Sequence, residues 1–272
     1  MNRVDTALVV GVGLVGGSLA AAWRKVGYAR RVLGFDRNLE AANVAVERGL
    51  IDESVTELPA HVDVLVVCTP SDQIAAQIAQ CAAHADLIMD VGSVKEPILE
   101  TLRGQYGGVP ENYVPCHPIA GSELSGPTAA SADLFDGALV VLTPETESRL
   151  SEVAAAAWEC VGAQVSSLSA AAHDQMLAVT SHLPHLLASA YMQQVEAPAL
   201  PFTGGGFKDF TRIAAANPEL WWRILSMNKA HVIAAAEEFI THLKAFTDTL
   251  EAGDQVAGVQ ALSEAARLRQ QL

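Results

Sequence analysis

The stretch Thr6-Ala7-Leu8-Val9-Val10-Gly11-Val12-Gly13-Leu14-Val15-Gly16 decides the fold class. Its first half, an aliphatic run, reads as a buried strand, and the glycines that follow at once read as a tight turn. From Leu19 to Val26 the chain is alanine-rich and predicts a helix, with Trp23 and Val26 available for packing. Strand, glycine turn and helix in this order make GxGxxG informative. Gly11 permits the turn, Gly13 lets backbone approach a pyrophosphate, and Gly16 lets the helix press on the strand. Free amides around Leu14 and Val15 at the helix start can receive phosphates. Gly17 and Ser18 extend the small-residue surface.

Working outward, Arg31 to Phe35 reads as a second strand, and it ends at Asp36, twenty residues after Gly16. A carboxylate there accepts hydrogen bonds from a ribose 2′-hydroxyl and repels a 2′-phosphate, which favours NAD over NADP. Arg37 beside it pulls the other way and leaves NADP open. A helix over 40–48, a strand over 62–67, a helix over 74–82 and a strand over 86–91 continue the alternation. The strand ends Cys68-Thr69-Pro70 and Gly92-Ser93 fall at the carboxyl edge of a parallel sheet, where such sheets bind ligands. The Ser93 hydroxyl either reaches a substrate oxygen or a histidine, or caps a helix over 95–103.

Residues 112–115 read as a short strand delivering His117-Pro118-Ile119-Ala120-Gly121-Ser122-Glu123. Histidine titrates near neutrality and can take a proton from an alcohol. In isolation a His-Pro pair is more often a turn. A strand over 139–142, a helix over 148–161 and a strand over 163–165 complete an α/β domain spanning residues 1–167. The remainder, 168–272, reads as helix with no convincing strand alternation.

The helical half carries His173, His182 and His185. The last two share a helix face, with Pro184 between them expected to kink the helix and free a carbonyl. Three glycines, Gly204 to Gly206, precede Phe207-Lys208-Asp209-Phe210-Thr211-Arg212, and the Arg212 fork suits a carboxylate. Asn217-Pro218 signals a helix start ahead of Trp221 and Trp222, at least one of which reads as core. The helices over 228–248 and from 251 onward carry more apolar area than one small domain needs, which points to a helical dimer interface.

Composition bounds the rest. A net charge of −14 and a pI near 4.9 argue against nucleic acid or an anionic membrane as partner. A small anion can still be held where Arg212 and Lys208 concentrate positive charge. The four cysteines, at 68, 81, 116 and 160, have no zinc-type spacing, and no HExxH occurs, so no metal site is expected. The N-terminus enters a strand with no signal-peptide pattern, and no apolar run spans a bilayer. A cytoplasmic, soluble protein with reduced thiols is expected.

Taken together, GVGLVGGS, DVGSVK around Ser93, HPIAGSE at His117, His173-Asp174, SHLPH at His182, GGGFKDFTRIA and NPELW resemble the prephenate and arogenate dehydrogenase family over nearly the whole chain. The resemblance implies an α/β Rossmann-like N-terminal domain and an all-α C-terminal dimerisation domain. It also implies NAD(P)-dependent oxidative decarboxylation of prephenate or arogenate in tyrosine biosynthesis. Within it, His117 corresponds to the base taking the ring hydroxyl proton, Ser93 to the hydroxyl orienting base and substrate beside the cofactor, and Arg212 to the carboxylate clamp. His182, His185, Gly205 and Trp221 correspond to the pocket wall, with His173 near its mouth. Lys208 stands where many relatives have arginine. Without room for an appended regulatory domain, any control by tyrosine is expected at the active site itself. The rival readings are a Rossmann-plus-helices dehydrogenase of the 3-hydroxyacid or imine-reductase kind, for which no catalytic lysine stands out, and a non-catalytic NAD sensor.

Overall fold

A computed structural model describes residues 3–121, 124–145 and 148–271. Ser122 and Glu123 of the HPIAGSE stretch lie outside the described residues, as does Leu272. The first half builds β1 (Val4–Val10), α1 (Leu14–Val26), β2 (Ala29–Phe35), α2 (Leu39–Glu47), β3 (Glu53–Ser54), β4 (Val62–Val67), α3 (Ser71–Cys81), β5 (Ala85–Asp90), α4 (Glu96–Gln105) and β6 (Tyr113–Val114). Their strands form one parallel six-stranded sheet in the order β3-β2-β1-β4-β5-β6.

The strands are apolar on both faces because helices cover both faces. Side chains alternate across the pleat, so Ala7 and Val9 join one core while Leu8 and Val10 join the other. β4 divides in the same way, with Val64 and Val66 on one side and Leu65 and Val67 on the other. Strand order reverses between β1 and β4, which opens a crevice beyond their carboxyl ends.

Three further strands, β7 (Cys116–Pro118), β8 (Leu139–Leu142) and β9 (Gln164–Ser167), form a separate sheet, with α5 (Arg149–Glu159) between the last two. β7 runs antiparallel to β8 and pairs His117 with Val141, so His117 sits on a strand and not in a turn. This sheet shares the core on the α1 side. There, α5 contributes Ala154, Ala157 and Trp158, and the Trp23 indole N–H donates to the Ala157 carbonyl at 2.9 Å.

From Ala170 the chain is helical: α6 (Ala170–Leu177), α7 (Leu183–Gln193), α8 (Gly205–Thr211), α9 (Pro218–Met227), α10 (Lys229–Ala252) and α11 (Gln255–Arg269). The expected kink at Pro184 takes another form. Residues Ala178–His182 make a π-helical turn that joins α6 to α7 without a break, and Pro184, which has no N–H to donate back to that turn, follows it directly. Asn217 caps α9 as its sequence predicts, accepting from the Glu219 and Leu220 amides at 3.0 Å each. α10 and α11 leave Ile240, Leu243, Leu250, Val256, Val259 and Leu262 exposed. Among the described residues no helix is long and apolar enough to cross a membrane.

Candidate active site

Two cavities lie at the carboxyl edge of the large sheet. The first, about 400 Å³, is bordered by Gly11, Gly13, Asp36, Arg37, Cys68, Thr69 and Pro70, together with Gly126 and Pro127. Gly11 adopts φ +95°, and a Cβ there would stand 2.6 Å from the Cys68 carbonyl oxygen, so only glycine serves. A Cβ on Gly16 would meet the Gly11 carbonyl oxygen at 2.0 Å, which is why the helix can seat against the turn.

α1 starts at Leu14, five residues before the sequence suggests, because this packing outweighs the low helix propensity of Gly16 and Gly17. Its first turn, Leu14, Val15 and Gly16, has neither a side-chain cap nor an acidic residue, so its amides are open to an anion. Asp36 is held at the tip of β2 by the amides of Val12 at 2.9 Å and Asn38 at 2.8 Å. The Thr69 hydroxyl is buried without a partner among the described residues. These features fit a dinucleotide: amides for phosphates, a fixed carboxylate for a ribose, and an unspent hydroxyl in the wall.

The second cavity, about 380 Å³, brings together Ser93, His117, His182, His185, Arg212 and Trp221 with apolar neighbours such as Leu177, Ile213 and Ile224. The segment after β7 joins the two, since Ile119 to Gly121 border this cavity and Gly126-Pro127 border the first. Ser93 lines the second cavity and not the nucleotide cleft, and it makes no hydrogen bond with a described residue. It does not cap α4, because Asp174 does: its carboxylate accepts from the amides of Lys95 at 2.9 Å and Glu96 at 2.9 Å.

His117 is almost fully buried, and its Nδ1 lies 2.8 Å from Nε2 of His173. Desolvation, then the neighbouring His173, Lys95 and His182, hold His117 well below the ordinary histidine range, so it is neutral at pH 7. His182 also lies low, at about 4, chiefly through burial. The Asn228 amide nitrogen donates to the Asp174 carbonyl at 2.8 Å and faces Nδ1 of His182 at 3.0 Å. The Asp174 carbonyl can only accept, which fixes the amide orientation, so His182 accepts at Nδ1 and carries its proton on Nε2.

At the mouth, His185 stacks on Trp221 with ring centroids 3.2 Å apart, and burial followed by the Arg212 charge lowers it to about 4. Arg212 is exposed and makes no ion pair with any described residue, so its guanidinium is free for an anion.

Four expectations change. His173 is fully buried behind His117 and not near the mouth, because it sits on the face of α6 turned toward β7. Gly205 opens α8 on the solvent side and does not line the cavity; the short helix it begins ends at Arg212, which does. Lys208 is exposed on α8 and also does not line the cavity. Neither tryptophan of α9 is core: Trp221 walls the cavity, while Trp222, a step of about 100° further round the helix, is 72% exposed.

Lys95 is a further part of the site with no sequence signal. It is fully buried, its Nζ pairs with Asp90 at 2.5 Å and donates to the Cys116 carbonyl at 2.7 Å, and so it anchors the strand bearing His117. A lysine directly ahead of a helix gives no local hint of this.

Comparison with known proteins decides the family. A family model described as the nucleotide-binding domain of prephenate dehydrogenase matches residues 19–167, and one described as its dimerization domain matches 169–264. The chain belongs to the prephenate dehydrogenase family. It is 31% identical to the cyclohexadienyl dehydrogenase of Zymomonas mobilis, over 90% of this chain and 88% of that one. The crystal structure of prephenate dehydrogenase from Aquifex aeolicus, in complex with hydroxyphenyl propionate and NAD+, superposes with a TM-score of 0.90 at 31% identity, covering 98% of each chain. Synechocystis arogenate dehydrogenase superposes with a TM-score of 0.84 at 26% identity, covering 98% of this chain and 99% of that one. The chain is accordingly a dehydrogenase with a Rossmann-like first domain and a helical second domain.

Proposed function

We propose that this enzyme oxidatively decarboxylates prephenate, arogenate or both, with NAD as cofactor, as a homodimer made through its C-terminal helices. The observation that carries the reading is a single cavity holding a neutral buried histidine, an unpartnered serine hydroxyl and an unpaired arginine beside a dinucleotide cleft. A cyclohexadienol with a side-chain carboxylate needs those three groups. His117 takes the proton of the ring hydroxyl as the C–O bond gains carbonyl character, and Ser93 donates to or positions that oxygen. Arg212 holds the side-chain carboxylate at the mouth, and His182 offers an N–H to a second oxygen.

When bound, the nicotinamide supplies the hydride acceptor. Gly11, Gly13 and the first turn of α1 hold the pyrophosphate, Asp36 the ribose, and Cys68-Thr69-Pro70 the wall beside it. Asp36 favours NAD, since its carboxylate would face a 2′-phosphate with like charge. The domain limits consistent with these roles are 1–167 and 168–272, β9 ending at Ser167 and α6 beginning at Ala170.

Reduced-nicotinamide absorbance, measured while crossing prephenate and arogenate with NAD and NADP, tests the proposal. Turnover with either substrate, faster with NAD, is the expected result. Cofactor binding with no turnover in any of the four combinations refutes it.

A further inference from the structure

Behind His117 lie two buried polar side chains, His173 and Asp174, that the proposed chemistry does not itself require. Nδ1 of His117 lies 2.8 Å from Nε2 of His173, and Nδ1 of His173 lies 2.7 Å from Oδ1 of Asp174. His173 and Asp174 are fully buried. The Asp174 carboxylate also takes the Lys95 amide, at 2.9 and 3.1 Å from its two oxygens, and the Glu96 amide at 2.9 Å from Oδ2. We propose that Asp174, acting through His173, fixes the proton of His117 on Nδ1 and leaves Nε2 as the lone pair that meets substrate. Asp174 and His173 are then positioning residues. The proposal rests on His117 being the base.

The direction of each bond follows from its donors. Backbone amides only donate, and the free amides at the start of α4 favour negative charge, so Asp174 is an acceptor to all its neighbours. His173 must then carry its proton on Nδ1, which leaves Nε2 as an acceptor. Facing it, Nδ1 of His117 must be the donor. A neutral histidine with Nδ1–H has its free pair on Nε2. The charged and titratable groups facing this chain are the Lys95–Asp90 pair, His182 and the Asp174 carboxylate.

Asp174→Asn reverses the two bonds of the His117–His173–Asp174 chain with little change of shape. The amide oxygen must stay on the Lys95 and Glu96 amides, so the NH2 replaces Oδ1 and donates to His173. His173 then carries its proton on Nε2, donates to His117, and forces the His117 proton onto Nε2, where it blocks the base. In the double variant Asp174→Asn/His173→Gln, the glutamine carbonyl can accept from His117 directly.

The test combines histidine-selective ¹⁵N spectra, with the His117 resonances assigned by His117→Asn, and steady-state kinetics on the intact dimer. Wild type should give the Nδ1–H form of His117 and Asp174→Asn the Nε2–H form. In Asp174→Asn, kcat should fall by roughly 10²–10⁴-fold with KM and NAD affinity unchanged, and the double variant should recover at least about tenfold. A helix cap alone would not be rescued by changing His173. An Nε2–H form in wild type, an unchanged form in Asp174→Asn, or near wild-type kcat in that variant overturns the proposal. If wild type turns over neither substrate, the functional reading fails, while the spectra still decide the proton's position.

Discussion

Lys95→Met is the perturbation whose effect the structure defines most fully. Asp90 is fully buried, and its carboxylate takes the Gly92 amide at 2.8 Å, the Tyr113 hydroxyl at 2.8 Å, the Cys116 amide at 3.0 Å and the Lys95 ammonium. Methionine matches the aliphatic length of lysine, so the packing survives while the charge is lost. Asp90 keeps three donors but no cation, and the Cys116 carbonyl loses its donor. Stranding one member of a buried pair costs about 3–5 kcal/mol, or a fall in Tm of about 10 °C for a chain of this size. Thermal unfolding followed by circular dichroism measures this, and adding Asp90→Asn should recover roughly half, since the stranded charge is then gone. A second effect follows at the active site. Lys95 is one of the charges that hold His117 low, so its removal raises the His117 pKa and moves the acid limb of the pH–rate profile toward neutrality. A Tm fall under about 2 °C, or an acid limb that stays in place, refutes the reasoning.

Arg212→Ala should raise KM by roughly 10–100-fold, the worth of a charge-assisted carboxylate bond, and leave NAD affinity intact; a loss confined to kcat would contradict the clamp. Stability should fall with acid through His182, whose folded value of about 4 lies below its ordinary 6.5. The unfolded chain therefore takes up the proton first, so this contribution is intact above pH 6.5 and is lost between there and about pH 4, at about 1.4 kcal/mol per pH unit. Urea midpoints at pH 7 and pH 4.5 measure it, and equal midpoints would count against a buried neutral His182. Leu250→Asp on the exposed face of α10 should shift the protein in light scattering from twice 28.6 kDa toward 28.6 kDa, and a variant that stays dimeric would move the interface elsewhere.

The large sheet was legible because each of its signals is local. A buried strand, a glycine turn and a helix follow one another from Thr6, and the crowding at Gly16 is resolved within five residues of chain, against Gly11. β7 was not legible: it has three residues, one of them proline, and it exists by pairing with β8 beyond a long connection. The residues that make the cavity were readable as types, since His117, Ser93, His182 and Arg212 each have chemistry to offer. Their depth was not. His173 and Asp174 sit side by side in sequence, but their partners lie 56 residues away at His117 and 79 away at Lys95, and nothing in spacing encodes that. Trp222 misled for a related reason, because an apolar residue on an amphipathic helix reads alike whether it faces a core or the outside. The π turn before Leu183 left no sequence mark besides Pro184.

Asp174 caps α4 from across the molecule. The helix belongs to the nucleotide half and its cap to the helical half, so the two halves share a bolt. Swinging them apart would uncover the first amides of α4 and, in the same movement, cut the support beneath His117. The exposed edge of the cavity, at Arg212, Ile119 and Gly121, is open without parting the two halves. An intermediate with the halves parted is, by this construction, a disarmed one.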